Sequence, residues 1–248
     1  MSSTLLWSRD LVTAGTALFQ RALDGIDDAD LREPTALAGW TRAHVVAHVA
    51  ANAEALVNLA TWARTGVESP MYASPEQRDA DIETGALLPA ARLREWFAAS
   101  AAGLDRALGD LDGEHWIRLV RTAQGRTVPA TEVPWMRTRE VMVHAVDLAG
   151  GVGFDDLPTD FLVEVLHDAA AKRSRAGDGP AVVLVATDGA LADSPDGSVR
   201  SSAWSVAGVG ATTHVRGALA QLAAYVTGRG HTGLTAGDEP VPVLPRWL

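Results

Sequence analysis

Glu140 and His144 stand four residues apart in the segment 137–144, and His44 and His48 repeat that spacing in the segment 41–48. Residues four apart share one face of a helix, so each segment can aim two metal-binding side chains in one direction. If two such helices face each other, three of the four groups suffice to hold a divalent metal and leave a coordination position open. That layout belongs to a catalytic metal, because structural zinc is closed by four protein ligands. The duller reading is that a histidine pair at this spacing is helix surface or a hydrogen-bonded interior group, and spacing alone does not choose between the two. Asn52 and Asp147 extend the same two polar stripes by one turn. They are either groups that orient the histidines, a recurrent need of metal sites, or solvated side chains.

The elements that must position these groups are helical. Leu11, Gly15, Leu18, Phe19, Ala22 and Ile26 recur at three- and four-residue steps and predict a first helix closed by Gly25. A second is expected from Thr41, a suitable N-cap, through His44, His48, Asn52, Leu56 and Leu59 to Gly66. The charged run from Glu76 to Glu83, behind Pro70 and Pro75, reads as a loop with at most a short helical turn. A third helix starts near Pro89 with Leu93, Trp96, Phe97, Leu104 and Leu108 on one stripe, and a fourth opens near Pro134 and stops at Gly150 and Gly151. Four long amphipathic helices suggest a bundle, whose core is a common place for metal sites. After about Pro158 the pattern changes. A helix from Asp160 to about Arg173, a β-branched strand 181–186, weaker strand signals at 198–206 and 212–215, and a helix from about Gly217 to Gly228 describe a small α/β unit. The expected class is α+β, with a bundle over residues 1–157 and the α/β domain over 158–248.

Composition narrows the chemistry. The chain has 248 residues and no cysteine, which excludes disulfides, thiolate zinc sites and a protein thiol nucleophile, so any sulfur chemistry must come from outside. A formal charge of −10 argues against a protein that reads nucleic-acid backbones. No stretch is long and apolar enough to span a membrane, and the first residues lack a secretory pattern, so a cytoplasmic protein is expected. The remaining histidines, His115, His167, His214 and His231, have no partner at metal-ligand spacing. Trp40 and Trp135 flank the two histidine-bearing segments and are candidates to line a pocket.

Several stretches carry a resemblance: 39–50 with Gly39, Trp40, His44 and His48; 74–78 with Arg78; 122–130 around Gly125 and Pro129; 135–148 with Trp135, Glu140, His144 and Asp147; and the closing Pro245, Arg246, Trp247 and Leu248. Together they resemble the mycothiol-dependent maleylpyruvate isomerases over nearly the whole chain, most loosely between about 155 and 215. The resemblance implies a DinB-like four-helix bundle carrying zinc, followed by a small α/β domain. It implies His48, Glu140 and His144 as zinc ligands, with His44 not a ligand, and Arg78 and Arg229 as arginines needed for activity. It further implies mycothiol as the thiol cosubstrate and maleylpyruvate, a dicarboxylate, as the substrate, isomerised to fumarylpyruvate. The partners expected are therefore two small molecules, with neither nucleic acid nor membrane, meeting on a monomer. If both arginines grip carboxylates, the metal bundle and the C-terminal domain share one active site. A mycothiol S-transferase, a thiol-independent zinc hydrolase and a non-enzymatic binding protein remain as alternatives.

Overall fold

The apolar stripe of the first segment becomes α1 (Ser3–Asp24), with Leu18, Phe19, Ala22 and Leu23 buried. Gly15 lies where α1 meets α6 (Val133–Asp147): a Cβ built there would stand 2.5 Å from Cγ2 of Val141, so glycine permits the close approach of the helix that carries Glu140. The computed structural model describes residues 3–188 and 202–245. It divides into two compact units, Met1–Val152 and Gly153–Leu248.

In the first unit α2 (Arg42–Thr65) is central. It is buried along almost its whole length, as expected of a helix that is apolar on most sides, and it packs against α3 (Pro75–Ala86), α4 (Ala90–Gly109) and α6. Thr41 begins it in an extended conformation, and Gly66 ends it in the left-handed region at φ 75°, where a Cβ would be strained. Phe19 and Phe97, with ring centroids 4.7 Å apart, join α1 to α4. The far end of α2 is sealed by Leu56, Leu59, Leu104, Leu108, Trp116 and Val128.

Two connections differ from the sequence expectation. The run after Pro75 is a three-turn helix, α3, and Arg78 is therefore helical. Ser74 caps it by accepting a hydrogen bond from the Gln77 amide at 3.1 Å, Pro75 supplies a preset first turn, and Ile82, Gly85 and Ala86 bury one side. The segment before α6 holds a short helix, α5 (Gly113–Ile117), and a hairpin of β1 (Leu119–Arg121) with β2 (Thr127–Pro129), turned at Gly125 with φ 78°.

The second unit places α7 (Thr159–Ala176) and α8 (Leu219–Val226) beside a three-stranded sheet of order β4-β3-β5. Strand β3 (Pro180–Ala186) runs antiparallel to β4 (Ala203–Val206) and parallel to β5 (Val209–Gly217). The strand signal expected at 198–206 is met from Ala203 onward, and 198–201 lie outside the described residues. The class is α+β, helical first and mixed second, as the sequence pattern predicts.

Candidate metal centre

Helices α2 and α6 meet side by side, and their polar stripes converge on one point. His48, Glu140 and His144 each offer a ligand atom there, and the three atoms lie within 4.8 Å of one another. Nε2 of His48 is 2.9 Å from Oε2 of Glu140, Nε2 of His144 is 3.4 Å from the same oxygen, and the two imidazole centroids are 4.8 Å apart. Both histidines are buried and Glu140 is mostly so. The cluster fits a metal ion: two imidazoles and a carboxylate are the donor set of catalytic zinc sites that keep a fourth position open.

Neighbouring groups fix these three. Asp147, one turn beyond on α6, holds Nδ1 of His144 at 2.8 Å, which turns Nε2 toward the cluster. Trp40 lies against His48 with ring centroids 5.3 Å apart. Nη2 of Arg78, from α3, reaches 3.4 Å from Nδ1 of His48, and its guanidinium lies over the Tyr72 ring at 5.9 Å. His44 is spent elsewhere. Its Nδ1 accepts from the Thr41 amide at 3.2 Å and meets the Thr41 hydroxyl at 2.7 Å, closing the start of α2, while Nε2 is 3.4 Å from Glu83.

The electrostatics favour a charged carboxylate between the two imidazoles. Burial pushes the Glu140 carboxyl up, but hydrogen bonds from His144 and His48 outweigh it and hold the group well below the usual range. Burial lowers His48 below the ordinary imidazole value. Burial also works against a proton on His144, yet the contacts with Asp147 and Glu140 prevail and raise it.

Two further groups complete the surroundings. Arg137 is fully buried one turn before Glu140, donating from Nη1 to the Val49 carbonyl oxygen at 2.7 Å and to Oδ1 of Asn52 at 3.1 Å. Burial pushes its guanidinium down to about 10, against the opposing pull of Glu140 and Tyr72. Tyr72 is hydrogen-bonded to Arg78 and Asn52, and burial raises its phenol.

A family model described as the mycothiol maleylpyruvate isomerase N-terminal domain matches residues 12–149, which contain all three converging side chains. A solved mycothiol-dependent maleylpyruvate isomerase is 39% identical over 100% of both chains, with a TM-score of 0.88. This chain belongs to the mycothiol maleylpyruvate isomerase family. A variant of the solved enzyme in which one histidine is replaced by alanine matches equally, at 39% identity, full coverage of both chains and a TM-score of 0.88. No curated protein shows significant similarity to the chain.

For a maleylpyruvate isomerase family member, the site departs from the sequence expectation at Asn52, Arg137 and Tyr72. Asn52 is not on a histidine; it accepts from Arg137. Arg137 and Tyr72 were not singled out, although the three-residue step from Arg137 to Glu140 places both on one face of α6. Arg229 belongs to the second unit, just past α8, where its amide donates to the Ala224 carbonyl at 2.8 Å and Nη1 donates to the Thr227 carbonyl at 2.7 Å. No helix among the described residues is long and apolar enough to cross a membrane.

Proposed function

We propose that the protein is a zinc-dependent cis–trans isomerase that converts maleylpyruvate to fumarylpyruvate with mycothiol as thiol cosubstrate, as in gentisate-type aromatic degradation. The observation that carries this reading is the convergence of His48, Glu140 and His144 in a cysteine-free chain alike, over its full length, to an enzyme of that name. These three residues would hold zinc. When bound, zinc would lower the pKa of a coordinated thiol so that thiolate is available at neutral pH.

The cis double bond of the substrate cannot rotate until its bond order falls. Addition of the mycothiol thiolate to the conjugated carbon moves an electron pair onto the carbonyl oxygen as an enolate. Rotation about the resulting single bond, return of the electron pair and departure of the thiolate give the trans product. The chain's own residues make this possible by position and charge. Glu140 contributes a carboxylate held ionised by its two imidazole neighbours. Asp147 holds the His144 ring in the orientation that presents Nε2. Arg78 and Arg229 are the guanidiniums we assign to the substrate carboxylates, whose geometry a planar fork matches, and either is suited to meet the enolate charge. The division proposed is a metal-bearing bundle over 1–157 and a small α/β domain over 158–248. A cytoplasmic setting suits this chemistry, since thiols stay reduced there.

The test is product identification. Zinc-loaded protein incubated with maleylpyruvate and mycothiol should yield fumarylpyruvate with no lasting carbon–sulfur bond. Accumulation of a stable thioether would make the protein an S-transferase instead.

A further inference from the structure

A cavity of about 810 Å³ opens beside the metal cluster, between α2, α3 and α4. Its size is that of a small-molecule site. Tyr72 is the joint between the two: it lines the cavity, and its hydroxyl is hydrogen-bonded to Asn52 and Arg78 on the metal side. On α2 the lining begins at Ala51 and reaches Asn58. At 1.5 Å per residue that stretch runs roughly 5 to 15 Å along the helix from His48.

The chemistry of this cavity differs from that around Arg78. Its lining carries three carboxylates, Glu54, Asp81 and Glu95, against one guanidinium, Arg92. A dicarboxylate substrate is repelled there, so the cavity belongs to the other reactant. The indole of Trp96 forms one wall. It is fixed by donating Nε1–H to Glu54 at 2.7 Å and by packing on Gly85, where a Cβ would sit 2.5 Å from the ring. A rigid aromatic face offers area to the C–H faces of a sugar-like ring, and ionised carboxylates only accept hydrogen bonds, so they suit a ligand rich in hydroxyl donors.

We propose that this cavity binds the polyhydroxylated body of the thiol cosubstrate, leaving its sulfur directed past Tyr72 to the His48, Glu140 and His144 cluster. The assignment rests on the reading of the protein as a mycothiol-dependent enzyme. Mycothiol carries its cysteinyl group on a neutral glucosaminyl-inositol body, and an acid-lined, aromatic-walled cavity fits such a body while excluding the substrate. Two reactants thus approach the metal from surfaces of opposite character.

The test is calorimetric titration of the zinc-loaded protein with N-acetylglucosaminyl-inositol, which has the body without the thiol, beside the KM for mycothiol. Ala99 lines the cavity on the exposed side of α4, so Ala99→Trp fills it without entering the core. Saturable binding to the wild type is expected. At least tenfold weaker binding is expected in Ala99→Trp, with a parallel rise in the KM for mycothiol and no rise in that for the dicarboxylate. Asp81→Asn should weaken binding about threefold and serves if Ala99→Trp does not fold. No binding to the wild type, or equal affinity and equal mycothiol KM in the variants, overturns the proposal. Fragment binding does not need turnover: if it holds while maleylpyruvate is not converted, the reaction assignment fails and the cavity assignment stands.

Discussion

Arg137 donates to the main-chain oxygen of Val49 at 2.7 Å, and so pins the helix of Glu140 to the helix of His48 through a fully buried cation. Its Nη2 has no hydrogen-bond partner, and its pKa is pushed down to about 10 chiefly by burial. A guanidinium depressed in this way is more costly to charge in the folded state than in the unfolded chain. At neutral pH it therefore lowers stability. Arg137→Met should leave stability unchanged or raise it by about 1–3 kcal/mol, as replacements of buried charges by apolar groups often do, while lowering turnover. Urea denaturation gives the first quantity and steady-state kinetics the second. A loss of stability beyond about 3 kcal/mol would mean that the two hydrogen bonds, not the burial of charge, dominate.

The histidines of α2 separate cleanly. His48→Ala, Glu140→Ala and His144→Ala should each greatly lower zinc occupancy. His44→Ala should keep the metal and lose only its closure of the helix start, a loss of about 1 kcal/mol by analogy with N-caps. Elemental analysis and thermal melts read both effects. Full zinc in all three ligand variants would sink the ligand set.

His144 titrates above the ordinary imidazole value, and its proton must leave when a metal binds. Metal affinity should therefore fall as pH drops through that raised value. In the metal-free protein the same shift adds stability below about pH 6.5, the unfolded value, and that contribution is lost as pH rises through the folded one. Asp147→Asn removes the strongest contact that raises His144, so the pH midpoint of metal binding should move down. Affinity at alkaline pH should also fall about 10- to 100-fold through loss of ring orientation. Chelator competition across the pH range is the measurement, and an unchanged midpoint would contradict the role of Asp147.

Under the proposed function Arg78 and Arg229 hold the substrate carboxylates. A charge-assisted hydrogen bond is worth about 1.5–3 kcal/mol, so Arg78→Ala or Arg229→Ala should lose at least about tenfold in kcat/KM with zinc retained. Lysine should restore only part, because it keeps the charge without the fork. Wild-type kinetics in both alanine variants, with zinc and folding intact, would return both arginines to structural roles.

The long helices were legible from their apolar residues, and the converging cluster from the four-residue step that sets Glu140 and His144 on one face of α6, where they meet His48 of the largely buried α2. Helix α3 was missed because its burial is slight: Ile82, Gly85 and Ala86 bury one side of a segment that is otherwise charged, and its start rests on the Ser74 cap and Pro75. Those cues are short-range and were outweighed by composition. Arg137 was overlooked for the opposite reason. A charge in a helix is read as solvated, and only the packing of α6 on α2 turns it inward. Tyr72 lies between helices, where no periodicity reports its direction.

A thiol balance tests the central claim most directly, since a chain without cysteine must borrow its nucleophile. Zinc-loaded protein should be given maleylpyruvate with and without mycothiol, and free thiol counted as fumarylpyruvate appears. The expected result is that isomerisation depends on the added thiol and that the thiol is fully recovered at completion. Full-rate isomerisation in thiol-free buffer, or loss of one thiol for each product formed, would contradict it.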